Sequence, residues 1–312
     1  MSDTVPNLEA FAATVEELAR ADDTVVVVTS DSRGSGKLSG YASRFPDRIV
    51  EVGIAEQHLV GMAAGLSAGG KNVFAVSPAS FLATRSLEQI KHDVCYSNWP
   101  VSLIGISAGV SYGALGSTHH SLHDFAALRA IHNLIVAAPA DNWETKEAVR
   151  AAAASNVPVY LRFGKAPLPD LPNGKGFRFG KGRILREGVD GLFVTTGETA
   201  WWGLDAALKL EEKGTSAGVL HMHTVKPLDE ELLIQMAGAV KAVVVTEEHS
   251  VNGGLGEACG GALLRAGVCC RFAIAGIPDE YTVTGSQDEI LSHYGVSPDG
   301  LAATMLSLLE GA

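Results

Sequence analysis

The chain has 312 residues, 46% of them hydrophobic and 19% charged, a balance that suits a large packed core and excludes a disordered chain. Its net charge of −11, from 35 acidic and 24 basic side chains, disfavours nucleic acid as a partner. The four cysteines, Cys95, Cys259, Cys269 and Cys270, form no C-x-x-C pair. A disulfide framework is therefore not expected, and a reducing cytoplasm is the simplest compartment. The first residues, MSDTVPNLEAF, lack the basic and apolar regions of a signal peptide. The uncharged, Ala- and Gly-rich run 57–70 is too short and too weakly apolar to span a bilayer.

In chain order, Leu8–Arg20 has helical character, and Thr24–Thr29 (TVVVVT) is the first buried strand. A predicted helix over Glu56–Gly69 follows. The strand Asn72–Val76, the helix Phe81–Tyr96, and strands at Val101–Ile106 and Leu134–Ala137 come next. Helix Trp143–Ala154 is led by Asp141 as its N-cap, with Glu144 three residues on. Val157–Leu161 closes the series. Continuous apolar runs mark strands covered on both faces, and their alternation with helices predicts a parallel α/β sheet.

Residues 166–182, rich in proline and glycine, then break the pattern. They are read as a linker between domains at 1–165 and 183–312. The second domain repeats the alternation: strand Gly191–Thr196, helix Ala200–Lys213, strand Ser216–Leu220, helix Asp229–Ala237, strand Ala242–Thr246, helix Leu255–Ala266 and strand Cys270–Ile274. The fold class is thus α/β, with two domains that are each a mainly parallel sheet flanked by helices.

The most informative stretch is 48–70, RIVEVGIAEQHLVGMAAGLSAGG. Gly61, Gly65 and Gly69 recur every fourth residue, so one face of this helix lacks bulk and admits another backbone. Read by spacing alone, Glu56 is equally a solvated acid at a helix start, where carboxylates are favoured. The triplet His119, His120 and His123 has helical spacing, but no cluster of acidic or cysteine ligands accompanies it.

G-I-A-E-Q-H with its glycine-spaced helix resembles the pyrimidine-binding domain of the transketolase family and of 1-deoxyxylulose-5-phosphate synthase. The resemblance continues through Phe81–Val94, Gly113–His119 (GALGSTH), Pro139–Glu144 and Pro158–Gly164. It resumes at Lys226-Pro227 and Thr246–Gly256 (TEEHSVNGGLG). It implies thiamine diphosphate and Mg²⁺ as cofactors. The G-D-G motif with a downstream Asn, by which that family holds metal and diphosphate, is absent. The resemblance therefore implies the C-terminal half of a split transketolase, dependent on an N-terminal-type subunit carrying GDG and Asn in an α2β2 assembly.

Site residues follow from the same resemblance. Glu56 matches the acid that hydrogen-bonds the cofactor aminopyrimidine, a role that needs a carboxyl shielded from water. Phe81 matches the aromatic on that ring. Arg85, one helical turn on, either lines the cofactor site or pairs with Glu88. His119 matches a substrate-channel histidine and Arg162 an arginine that grips a sugar phosphate, for which bidentate geometry suits it. Asp31 and Ser35 follow the first strand, where α/β sheets place ligand loops. Asp31 is expected to orient the neighbouring domain, and Ser35 to touch phosphate.

Three departures bear on substrate. Leu115 stands where transketolases have an Asp that recognises a sugar hydroxyl, and leucine cannot accept that hydrogen bond. Ser107 stands at a phosphate-binding histidine, and His120 at the usual Gln. The expected activity is transfer of a two-carbon ketol unit between sugars or sugar phosphates. The alternatives are a β subunit of a 2-oxoacid-decarboxylating enzyme, a deoxyxylulose-phosphate-synthase-like enzyme, or a non-catalytic regulatory paralogue.

Overall fold

The computed structural model describes residues 5–172 and 176–311. The first sheet has seven strands. They are β1 (Val25–Thr29), β2 (Ile49–Glu51), β3 (Asn72–Pro78), β4 (Ser102–Ile106), β5 (Ile135–Ala137), β6 (Val159–Arg162) and, from far along the chain, β10 (Thr224–Lys226). The order is β10-β5-β6-β4-β3-β1-β2, parallel except for β10 against β5. Every residue of β1, β4 and β6 is buried, which is why these strands read as unbroken apolar runs. Helices α1 (Asn7–Ala21), α2 (Ser39–Arg44), α3 (Glu56–Ala68), α4 (Ala79–Arg85), α5 (Leu87–Gln89), α6 (Asp124–Arg129) and α7 (Asn142–Ala153) flank them.

The second sheet joins β7 (Arg183–Arg186), β8 (Gly191–Thr195), β9 (Ala217–His221), β11 (Ala242–Ser250) and β12 (Arg271–Ile277) in the order β12-β11-β8-β9-β7. Only β7, at its edge, runs antiparallel. Its helices are α8 (Thr199–Glu211), α9 (Glu230–Ala237), α10 (Leu255–Arg265), α11 (Gln287–His293) and α12 (Pro298–Glu310). Among the described residues no helix is long and apolar enough to cross a membrane.

Two sequence expectations change. Phe81–Tyr96 is not one helix: α4 ends at Arg85, α5 is a single turn, and Ile90–Tyr96 is wound as a π-helix. At the break the Ser86 hydroxyl donates to the Leu82 carbonyl at 2.6 Å, which diverts the backbone. Among the described residues the glycine face of α3 meets no backbone of another element: a Cβ on Gly65 would touch nothing within 4 Å. Strand β10, from beyond the expected linker, crosses back to extend the first sheet. The linker expectation also covers residues 173–175, and the leader expectation residues 1–4, which lie outside the described residues. Pro167 bridges back to Pro6, and the Leu171 amide donates to Asp141.

The two sheets share one hydrophobic core. Leu59, Val73 and Phe125 of the first half belong to the same buried cluster as Leu192, Val243 and Leu255 of the second. A polar junction lies beside it: Glu144, fully buried on α7, meets His221 Nε2 at 3.0 Å and pairs with Arg183. Burial alone would raise the Glu144 pKa, but the charges and hydrogen bond of its partners, His221 first, hold it well below the usual carboxylate range.

Candidate active site

Parallel strands point their carboxyl ends to one edge, and the loops that leave there carry the ligand sites of α/β sheets. Apart from Arg162, which ends a strand, the candidate residues lie on such loops or on helices that follow them. Asp31 and Ser35 follow β1, Glu56 follows β2, Phe81 and Arg85 follow β3, His119 follows β4, and Arg162 ends β6.

Glu56 opens α3 and is only 2% exposed. Its Oε2 accepts a 2.7 Å hydrogen bond from Arg85 Nη1, while Oε1 makes none among the described residues. Arg85 therefore takes Glu56 as partner rather than Glu88, whose carboxylate meets Gln89 and His92. The guanidinium also sits 5.0 Å from the Phe81 ring centroid, as the four-residue spacing requires. Phe81 in turn meets the edge of His119, with centroids 5.4 Å apart. Glu56, Arg85, Phe81 and His119 thus form one continuous group.

Two residues that the sequence pattern did not single out extend it. Tyr112 packs edge-on to His119 at 5.4 Å, and Lys165 Nζ lies 3.9 Å from the Tyr112 centroid. Partial burial pushes the Lys165 pKa below its ordinary value, and this amine makes no ion pair among the described residues. Its place just beyond β6 was the available signal. Glu51 is a third such residue: its Oε1 accepts from the Asp31 amide at 2.7 Å and from the Gly53 amide at 3.0 Å, tying the β1 loop to the approach to Glu56.

Arg162 lies at the end of β6. It is 6% exposed. Its Nε donates to Asp124 Oδ2 at 2.9 Å, and its Nη2 donates to the carbonyls of Ser121 (3.1 Å) and Glu248 (2.6 Å). Those donors fasten the two domains together, while Nη1 makes no hydrogen bond among the described residues. Asp31 adopts a left-handed backbone with φ 49°, tolerable for Asp, and is exposed. Ser35 is also exposed, its hydroxyl donating to the Ser32 carbonyl at 3.2 Å. Neither touches the Glu56–His119 group. Ser107 is fully buried with φ 54°.

The segment between β4 and α6 carries His119 and is held from the second domain. Thr282 Oγ1 meets His120 Nδ1 at 2.7 Å and Ser117 Oγ at 3.0 Å, while His120 Nε2 donates to the Gly113 carbonyl at 3.0 Å. Burial lowers the His120 pKa, against the bond to the Gly113 carbonyl, which favours the charged ring. Leu115, 54% exposed, stands on the outer side of this segment.

An aminopyrimidine ring needs a shielded carboxyl, an aromatic face and an open side, and Glu56 with Phe81 supplies the first two. Ile54, 74% exposed beside them, marks an apolar surface that the chain itself leaves uncovered.

Comparison with known proteins gives the family. Residues 3–170 match the transketolase pyrimidine-binding domain and residues 180–301 the transketolase C-terminal domain. The chain is 42% identical over 304 residues to a subunit of the apulose-4-phosphate transketolase of Phocaeicola vulgatus, covering 97% of each. It is 34% identical over 314 residues to 1-deoxy-D-xylulose-5-phosphate synthase 1 of Geobacter metallireducens, covering 96% of this chain but 48% of that one. A solved chain described as a split gene transketolase, inactive beta4 tetramer, superposes with a TM-score of 0.87 at 34% identity over 98% of both. With both domain models matched in order along nearly its whole length, the chain belongs to the transketolase family.

Proposed function

We propose that this chain is the C-terminal subunit of a split, thiamine-diphosphate-dependent transketolase that transfers a two-carbon ketol unit between sugar phosphates. The observation that carries the reading is Glu56: a carboxyl almost wholly shielded, held through one oxygen by Arg85, with Phe81 and His119 alongside. Arg85 engages Oε2 and leaves Oε1 to hydrogen-bond the N1′ side of the aminopyrimidine. Phe81 offers that ring its face, and His119 stands where a substrate oxygen would lie. The cofactor, when bound, supplies the carbon–carbon bond chemistry. The chain's own residues bind, orient and hold the proton at Glu56.

The diphosphate, the Mg²⁺ and the far wall of the channel fall to an N-terminal-type partner, in an α2β2 complex as the simplest symmetric assembly. The exposed Ile54 and the uncovered glycine face of α3 support such a covering chain. Lys165 replaces Arg162 as the cation for a substrate phosphate, since it is the unpaired one in this group among the described residues. Leu115, unable to accept a hydroxyl hydrogen bond, sets a ketose preference different from transketolases with Asp there. The P. vulgatus relative, whose name specifies apulose 4-phosphate, makes that ketose phosphate the first donor to test. Asp31 and Ser35 are proposed to face the partner subunit rather than the reacting carbons.

The chain alone is expected to be inactive and to gain ketol transfer with a GDG-bearing subunit, thiamine diphosphate and Mg²⁺. In that complex Glu56→Gln should lower kcat by about three orders of magnitude or more. A near-normal rate in the variant would end the assignment. Release of CO2 from pyruvate without ketol transfer would move it to the decarboxylating synthases. Absence of any cofactor heat in calorimetry of the complex would leave a regulatory paralogue.

A further inference from the structure

The second domain holds two carboxyls that the proposed ketol chemistry does not use. Glu198 precedes α8 and Glu248 lies late in β11, and they are 5% and 4% exposed. They meet at a single atom: Gln287 Nε2 donates to Glu198 Oε2 and to Glu248 Oε1, each at 3.0 Å. Two glycines of the first domain make room for them. A Cβ on Gly164 would come within 2.2 Å of Glu198 Oε1, and one on Gly109 within 2.2 Å of Glu248 Cδ. The amide of Ala166 lies near Glu198 without closing a hydrogen bond on Oε1, which is an orphaned buried oxygen. An unpaired oxygen of that kind is costly on a carboxylate.

The surrounding charge does not compensate for two anions. Arg162 faces both carboxyls and already serves Asp124, which bears on Glu248 from α6. Tyr160 donates to Asp124, His249 and His123 face it, and His249 is kept neutral by burial. Glu247 turns to the start of α10, where it accepts from the amides of Leu255 and Gly256. Arg162 thus stands among Asp124, Glu198, Glu247 and Glu248, and Arg129, bonded to the Gly253 and Gly254 carbonyls, bears on Glu247 alone among them. Like charges at such separation in a dry site do not both ionise. Burial first, and then Glu248, drive the Glu198 pKa upward, and burial also drives that of Glu248 upward.

The pair is wired to the segment that bears His119. Glu248 Oε1 also accepts from the Val110 amide at 2.7 Å, at the root of that segment. Gln287 begins α11, and the chain just before it carries Thr282, which grips Ser117 and His120. A Cβ on Gly113 would lie 2.5 Å from the Gly285 carbonyl oxygen, so the two stretches are in backbone contact. We propose that Glu198 and Glu248 share one proton, and that this proton keeps residues 282–287 clamped on the segment 109–121. The three side chains Glu198, Glu248 and Gln287 are positioning residues that act through this clamp. Loss of the proton sets two carboxylates against one amide and loosens the clamp. Its bearing on turnover rests on the proposed role of His119; the clamp itself does not.

The test uses amide hydrogen exchange of the full chain, followed by mass spectrometry from about pH 6 to about pH 9 and corrected for intrinsic exchange. Opening of 109–121 should rise about tenfold in the wild type and stay level in Glu198→Gln, which keeps the shape and removes the charge. Infrared difference spectra at the lower pH should show one protonated carboxyl band that Glu198→Gln or Glu248→Gln removes. Equal exchange profiles in wild type and variant, or no such band, would overturn the proposal. Circular dichroism checks folding, and Glu248→Gln replaces Glu198→Gln if the latter does not fold. In the reconstituted complex, kcat/KM should fall over the same pH range in the wild type and not in Glu198→Gln. A clamp seen by exchange with no such fall would count against the His119 assignment and for the clamp.

Discussion

At the scale of single residues, contacts between distant positions decide the chemistry. Arg85 had two candidate roles by spacing, and neither named its partner, since Glu56 lies 29 residues earlier in the chain. In the proposed reading Lys165 takes the phosphate role that the family resemblance implied for Arg162. The residue inside β6 is consumed by buried acceptors, whereas the one just beyond it keeps a free amine against Tyr112. Lys165→Gln should therefore raise KM for a phosphorylated ketose roughly tenfold while changing kcat less, because it removes binding made equally in ground and transition states. Steady-state kinetics on the reconstituted complex would show this; an unchanged KM would place the phosphate elsewhere. Leu115→Asp, on an exposed site that tolerates charge, should shift the ratio of kcat/KM between ketoses that differ at one hydroxyl by about tenfold or more. Identical ratios would mean that Leu115 does not face the substrate.

At the scale of elements, caps and breaks set where helices start and stop. Asp141 was legible as an N-cap, and its Oδ1 accepts from the Glu144 amide at 2.6 Å. Its second oxygen does more than the sequence indicated, accepting from the Leu171 amide at 2.7 Å and so fastening the stretch that leaves the first sheet. Asp141→Ala should cost about 2 kcal/mol in urea denaturation, combining a lost cap with a buried amide left unpaired. A loss below a few tenths would mean that water replaces both bonds. The interruption of Phe81–Tyr96 was not legible. Leu82, Ile90 and Val94 continue an apolar periodicity, and the diversion comes from a single serine bonding back to its own turn.

At the scale of the whole molecule, the two halves stand as one body through a shared core, an exchanged strand and buried polar junctions. Those junctions make stability depend on pH in opposing senses. Burial first of all holds His223 and His249 down to about 4 from 6.5, so the unfolded chain takes up more protons below 6.5 and stability falls as pH falls there. Burial holds Glu247 up at about 7 from 4.5, with Glu198 and Glu248 also raised, so the folded chain keeps more protons above 4.5 and stability falls as pH rises. Between 4.5 and 6.5 the two effects offset. Above 6.5 only the glutamates act. Below 4.5 the unfolded chain protonates first at Asp124 and Glu144, whose folded pKa values are lowered, and stability falls as pH falls. Thermal melts across pH should thus show a plateau near 4.5–6.5, with a fall of a few kcal/mol on either side. A melting temperature that climbs steadily from pH 6.5 to 8 would contradict this assignment of charges.

The sequence by itself determined the α/β class, the places of most strands and helices, the Asp141 cap, and the family, because strand burial, helix periodicity and short motifs are written within a few neighbouring residues. Through the family resemblance it also singled out Glu56, Phe81 and His119 as candidate site residues. Only the tertiary structure decided which charges meet. The pairing of Glu56 with Arg85, the closure of Arg162 by Asp124, the strand lent by the second half to the first sheet, and the carboxyl pair under Gly109 and Gly164 all join positions far apart in the chain. The energy of a buried charge depends on neighbours that folding alone assembles, and no local pattern of residues encodes them.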